Sequence, residues 1–270
     1  MRKSGAFYSL VWIDMQLAGG YALMGEAQKA LTIIEDTVAL DKRIKNTSHL
    51  SYAVYGLGQV YLWLGEWDKS LQCLLEAREL AKESGEYQAV GNATVTLGEL
   101  FIEKENYAEA EKFLNESSRT WEEAGDTDGQ VLDLFPVLSR FYLRKGELEK
   151  AKEIIEKTAE HAVKAKRKMT VSYTDMLKGM LFREQRDWQK SIESFEKSLS
   201  GYKSLSAQEW NIYEFAELLY EYGVMYLNRN EKGDKERAYS FLDQALIMYQ
   251  KMDAKKKIEN IIAQKKLLTA

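Results

Sequence analysis

One two-residue step, large residue then small, returns six times along this chain: Leu17-Ala18, Leu57-Gly58, Leu97-Gly98, Leu138-Ser139, Lys178-Gly179 and Tyr222-Gly223. The second members are spaced by 40, 40, 41, 40 and 44 residues. Self-similarity at such a period restricts the fold more than any other property of the sequence. A unit of about 40 residues cannot bury its apolar face alone, so neighbouring units stack and share one continuous core. The pattern inside each unit has helical spacing, which makes the chain all-α.

Each unit reads as two amphipathic helices, A and B, joined by a tight turn. Seven residues beyond the small residue, three units place a glycine (Gly25, Gly65, Gly146). Glycine suits a helix C-terminus because it enters the left-handed region without a Cβ clash. Five residues later helix B carries a small residue: Ala30, Ser70, Ala110, Ala151, Ser191 and, after a longer turn, Ala238. Four beyond that comes a large apolar one: Ile34, Leu74, Leu114, Ile155, Phe195 or Leu242. Small residues on both helices permit close approach, and the large residue fills the space between them. The repeats span approximately 5–45, 46–85, 86–126, 127–166, 167–208 and 209–252, and a lysine-rich helix at 255–268 reads as a cap on the last hairpin.

An aromatic follows each small residue by three positions (Tyr21, Tyr61, Phe101, Tyr142, Phe182, Tyr226), and a second opens helix B at Trp67, Tyr107 and Trp188. Together these residues resemble the tetratricopeptide repeat. The resemblance implies a right-handed α-α superhelix, a solenoid of six hairpins plus the capping helix, whose A helices line a concave groove. It departs from the family pattern in two places. The tryptophan four before the glycine is replaced by Asp14, Val54, Thr94, Phe135, Asp175 and Leu219, and the proline that ends helix B is absent. The long period is similar to that of the regulatory arms of signal-transduction ATPases and nucleotide cyclases, of peptide pheromone receptors and of kinesin light chains.

Composition argues against several functions. The net charge of -4 gives no bulk attraction to nucleic acid or anionic membrane, and the basic runs 164–168 and 255–257 fall at junctions between units. No apolar run is long enough to span a membrane and no signal peptide precedes the first repeat, so a cytoplasmic location is expected. Cys73 is the single cysteine and reads as a small core residue. The two histidines, His49 and His161, stand in unrelated settings, and no zinc cluster or phosphate-cradling glycine loop accompanies them. Neither a catalytic residue nor a cofactor or metal is expected.

A binding surface is the better expectation. Counted from the small residue, the inward positions of helix A collect Trp12 in the first unit and Tyr52, Tyr55, Gln59 and Trp63 in the second. Glu99 follows in the third, and Arg140 and Arg144 in the fourth. Tyr173, Met176, Met180 and Arg183 follow in the fifth, and Tyr220 in the sixth. Aromatics, methionine and arginine dominate interface energetics. The three arginines, unless paired with Glu99, Glu103 or Glu184, suit an amphipathic or partly acidic segment. The expected function is therefore a protein- or peptide-binding scaffold or adaptor. A sensor arm of a larger ATPase, cyclase or transcription regulator is the alternative, as is a self-associating solenoid. The apolar pattern begins right after Met1-Arg2-Lys3-Ser4, which suggests either an array that once continued upstream or an open end that packs on a partner. Pro136, the only proline, lies inside the helical pattern of the fourth unit and predicts a kink or a late start there.

Overall fold

The computed structural model describes residues 4–205 and 211–267, with side chains from Leu10 to Lys266 outside that gap. The expected 208/209 repeat boundary, Met1-Arg2-Lys3 and the last residue of the cap fall outside the described residues. Within them every regular element is helical. The elements are α1 (Ser4–Leu23), α2 (Ala27–Ile44), α3 (Thr47–Trp63), α4 (Trp67–Ser84), α5 (Tyr87–Glu103), α6 (Tyr107–Ala124) and the short α7 (Thr127–Gly129). A π-helical turn (Gln130–Leu134) leads into α8 (Phe135–Lys145). Then come α9 (Leu148–Lys164), α10 (Lys168–Glu184), α11 (Trp188–Lys203), α12 (Ile212–Arg229), α13 (Asp234–Lys251) and α14 (Lys255–Leu267).

Packing divides the chain into two compact units. The first runs to Leu134 and is grouped with Met252–Ala254; the second runs from Phe135 through α14. Each is built the same way. In the first, α3 packs on both α1 and α2, and α5 on both α3 and α4; in the second, α10 packs on α8 and α9, and α12 on α10 and α11. Within each unit, a hairpin thus covers the one before it.

The turn between helices A and B keeps a left-handed residue in all six hairpins and one hydrogen-bond pattern in the first five; in the sixth, Glu231 N–H donates to the Asp234 carboxylate instead. The residue seven beyond the small position is left-handed in each hairpin, as Gly25, Gly65, Glu105, Gly146, Arg186 and Asn230. In the first five the next residue donates its N–H to the carbonyl of the aromatic, as from Glu66 to Tyr61 at 2.9 Å, Asn106 to Phe101 at 2.9 Å and Asp187 to Phe182 at 2.9 Å. This six-to-one bond satisfies a carbonyl that the helix end leaves open. Helix starts are capped by Asn46, Asn106, Asp126, Asp187 and Asn211, whose side chains accept from backbone N–H groups two or three residues on.

The small residues admit the large ones as the pattern requires. A Cβ built on Gly58 would lie 2.9 Å from Leu74, on Gly98 2.6 Å from Leu114, and on Gly179 2.9 Å from Phe195. Ser70 and Ser191 add a polar link: each hydroxyl donates to the carbonyl of the facing glycine, Gly58 or Gly179, at 2.8 Å. Trp121 is fully buried between Gly91 and Gly129, where any Cβ would fall inside its indole. Cys73 is half-buried, and burial pushes its thiol up to about 11, away from reactivity.

Pro136 produces neither a late start nor a plain continuation of the fourth A helix. The π turn sits immediately before it. In an α-helix its missing N–H would orphan the Leu132 carbonyl and its ring would press on that group; the wider turn moves the carbonyl away.

Candidate functional site

In the first unit the inner positions of α3, α5 and the π turn bring a polar group together. Gln59 Nε2 donates to Tyr55 Oη at 3.2 Å. The same phenol, buried, is flanked by the Thr96 hydroxyl and by the charges of Asp133 and Glu99. Burial first, then those carboxylates, holds its proton far more tightly than usual. Asp133 is open to water yet crowded by protein; lost hydration, with Asp126 adding repulsion, raises it to about 6. Trp12 is exposed beside buried Tyr52, with ring centroids 6.1 Å apart. Trp63 is half-buried, its ring 3.4 Å from where a Gly19 Cβ would stand. The Tyr52 hydroxyl serves the structure: it donates to Glu86 Oε2 at 3.5 Å, and that carboxylate also accepts from Ser48.

The second unit treats its inner charges differently. Arg140 Nη1 donates to Glu217 Oε1 at 2.7 Å, linking α8 to α12, and both side chains are buried. Arg183 donates to Glu221 Oε2 at 2.6 Å and to Glu184 Oε1 at 3.0 Å. Burial disfavours both charges of the Arg183–Glu221 pair, but their mutual attraction outweighs it, raising the arginine and lowering the glutamate. Arg144, with its side chain 50% exposed, stands 3.8 Å from Glu221. Beside the first pair, Tyr202 donates to Glu214 at 2.8 Å. Burial, reinforced by Glu217, pushes Glu214 up to about 7 against the opposing help of Tyr202 and Arg140.

The inner-face residues named from sequence therefore separate into two sets. Tyr173, Met176, Met180, Arg140 and Arg183 are buried inside the second unit, and Tyr52 and Tyr55 inside the first. Burial and internal pairing withdraw Arg140 and Arg183 from the surface expected to meet an acidic segment. Of the carboxylates considered for them, Glu184 does pair with Arg183, whereas the main partners, Glu217 and Glu221, lie on α12. Water-accessible surface remains at Trp12, Gln59, Trp63, Glu99, Arg144 and Tyr220. Sequence reasoning missed Thr96, Glu214 and Glu221. The spacing of Glu214, Glu217 and Glu221, three and four apart on an apolar helix, was the available signal for a charged stripe.

Among the described residues no cluster of three His, Cys, Asp or Glu side chains is arranged to hold a metal, and no helix is long and apolar enough to cross a membrane.

Residues 51–123 match the family model of the tetratricopeptide repeat. No curated protein matches the chain. Solved structures share its fold. NprR, crystallised with its cognate peptide NprX, aligns over 96% of this chain and 73% of its own, at 15% identity and a TM-score of 0.68. A Rap protein complexed with competence and sporulation factor aligns over 91% and 65%, at 15% identity and a TM-score of 0.70. BtubC from P. vanneervenii aligns over 84% and 92%, at 15% identity and a TM-score of 0.59. The stacked hairpins and their left-handed turns make this chain an all-α helical-repeat protein, in which residues 51–123 match the tetratricopeptide repeat.

Proposed function

We propose that this protein is a non-enzymatic, cytoplasmic scaffold that holds a peptide or protein segment on the inner faces of its A helices. The observation that carries the reading is the polar face of the first unit, where Gln59, Glu99 and Asp133 stand accessible around Tyr55. The crystallised complexes of NprR and of the Rap protein, both with peptides, support a peptide as the ligand class. Accessible charge in this face is negative, so the segment it suits carries a Lys or Arg among apolar residues. Trp12 and Trp63 supply flanking aromatic surface. Arg144 is the accessible basic inner position that offers an acidic residue a partner in the second unit.

The test is selection from a phage-displayed library of random peptides against the purified chain and against a Glu99→Lys, Asp133→Lys variant. The expected outcome is enrichment of Lys- or Arg-containing peptides by the wild type and loss of that enrichment in the variant. Affinity of the selected peptides should also fall as pH drops through about 6, where Asp133 takes up its proton. No enrichment, or the same enrichment by both proteins, would overturn the assignment.

A further inference from the structure

The repeat register identifies what one uncovered surface is shaped for. Counted forward by 40 residues, Leu10, Ile13, Leu17 and Gly20 of α1, and Met24 just after it, correspond to Leu50, Ala53, Leu57 and Val60 of α3 and to Leu64 just after that helix. In α3 those positions form the joint with the preceding hairpin. Ala53 and Leu50 pack with Val11, Met15 and Val38. Val60, Leu64 and Leu57 pack with Ala18, Ala22, Ala30 and Ile34. In α1 the same positions are open: Leu10 is 51%, Ile13 52% and Leu17 47% exposed, and a Cβ on Gly20 would meet nothing within 4 Å. A joint face used between hairpins is therefore present and uncovered.

We propose that a second copy of this chain covers this face, α1 against α1, in a head-to-head two-fold dimer. Three observations select that occupant. First, the face is a continuation of an interface the chain already builds, so its shape suits packed helices rather than an extended strand. Second, α1 carries a single charge, Asp14, whose carboxylate accepts from Thr37 of α2 at 2.9 Å. Two copies of α1 thus meet without like-charge repulsion, and the face gives a charged partner nothing to pair with. Third, the C-terminal helices are the poorer mate. There α14 packs on α13 with Ile261 fully buried; Ile247 and Ile262 are exposed, but α14 carries Lys255, Lys256, Lys257, Lys265 and Lys266, which make it basic. A head-to-tail stack would set an apolar face against lysines, whereas the head-to-head arrangement pairs apolar with apolar. Closed two-fold contacts are also the commonest form of self-assembly.

Sedimentation velocity on the 270-residue chain, from low micromolar to on the order of 100 µM, tests this. Wild type is expected to move reversibly from 31.1 kDa to twice that mass. Leu17→Glu and, separately, Gly20→Lys should each weaken the dimer by at least about 30-fold, with melting temperature and helical circular dichroism unchanged. Gly20→Lys guards against a folding defect, because that position touches nothing in the monomer. A wild type that stays monomeric over the whole range overturns the proposal. So does a dimer that survives both substitutions, or growth into open-ended oligomers. Peptide selection on the inner face of the first unit is independent of either result.

Discussion

The two compact units use one hairpin plan but join their hairpins by different physics. In the first, A helices close on one another through small residues and buried apolar ones: Ala53, Ala89, Ala93, Gly91 and Leu97 are buried, and Trp121 fills the space left by two glycines. Its inner carboxylates, Glu99 and Asp133, keep access to water. In the second, equivalent inner positions carry Arg140 and Arg183, and both cross to buried glutamates of α12. A buried ion pair fixes register but is weak evidence of stability, since each charge must leave water. The difference teaches that an inner-face arginine in a helical repeat is not by itself a ligand contact. Whether it is free depends on an acid one or two hairpins away.

Breaking that contrast in the second unit should have the largest effect. Arg140→Leu leaves Glu217 buried without its cation next to Glu214, and a loss of about 3–5 kcal/mol is expected. Hydrogen exchange should place the loosening in α8 and α12. The double variant Arg140→Leu, Glu217→Leu should recover much of the loss, because an apolar pair needs no desolvation. A single variant as stable as wild type would show that the pair holds nothing.

The matching lesion in the first unit is steric. Gly91→Ala drives a methyl into the Trp121 ring and should cost about 1–3 kcal/mol, with the exchange increase confined to α5 and α6. An unchanged melt would mean that the indole has room to move.

The charge difference between the units can be sharpened by pH. Glu214 is raised to about 7 in the folded chain, above its unfolded value of 4.5. Its stabilising contribution is therefore fully present below about 4.5 and is lost as pH rises through about 7. Glu214→Gln should be the more stable protein at pH 8 by on the order of 1–2 kcal/mol and should flatten the decline of melting temperature between about pH 4.5 and 7. Parallel profiles for the two proteins would contradict the shift.

The smallest effect tests what the units share. Glu105 and Arg186 sit in the left-handed region, with φ of 56° and 59°, where other turns have glycine. Glu105→Gly in the first unit and Arg186→Gly in the second should each stabilise by roughly 0.5–1 kcal/mol, measured as an upward shift in denaturant midpoint. A decrease at either site would mean that the side chain contributes more than its backbone strain costs.

Much of this was readable in advance. Trp67, Tyr107 and Trp188 each begin a B helix, as their place in the pattern indicated. Gly58 faces Leu74, and Gly179 faces Phe195, because local spacing along two adjacent helices fixes which side chains meet. The turn position was legible where it was glycine and hidden where it was Glu105, Arg186 or Asn230, since propensity is overridden when both flanking helices are held by packing. The inner face was less legible. Its positions followed from helical periodicity, but half-exposed Gln59 and buried Tyr55 lie one turn apart on the same helix, and no spacing rule separates them.

The sequence by itself determined the helical hairpin, its period, its small-to-large contacts and the apolar face that α1 shares with α3. All of these depend on residues close along the chain or repeated at a fixed interval. Only the tertiary structure decided which charges are used internally. Arg140 meets Glu217 across 77 residues and Arg183 meets Glu221 across 38. Such pairs depend on how successive hairpins stack, a geometry summed over several joints and written in no single repeat. The same is true of the π turn before Pro136, where the proline announced a disturbance and the packing around it settled its form.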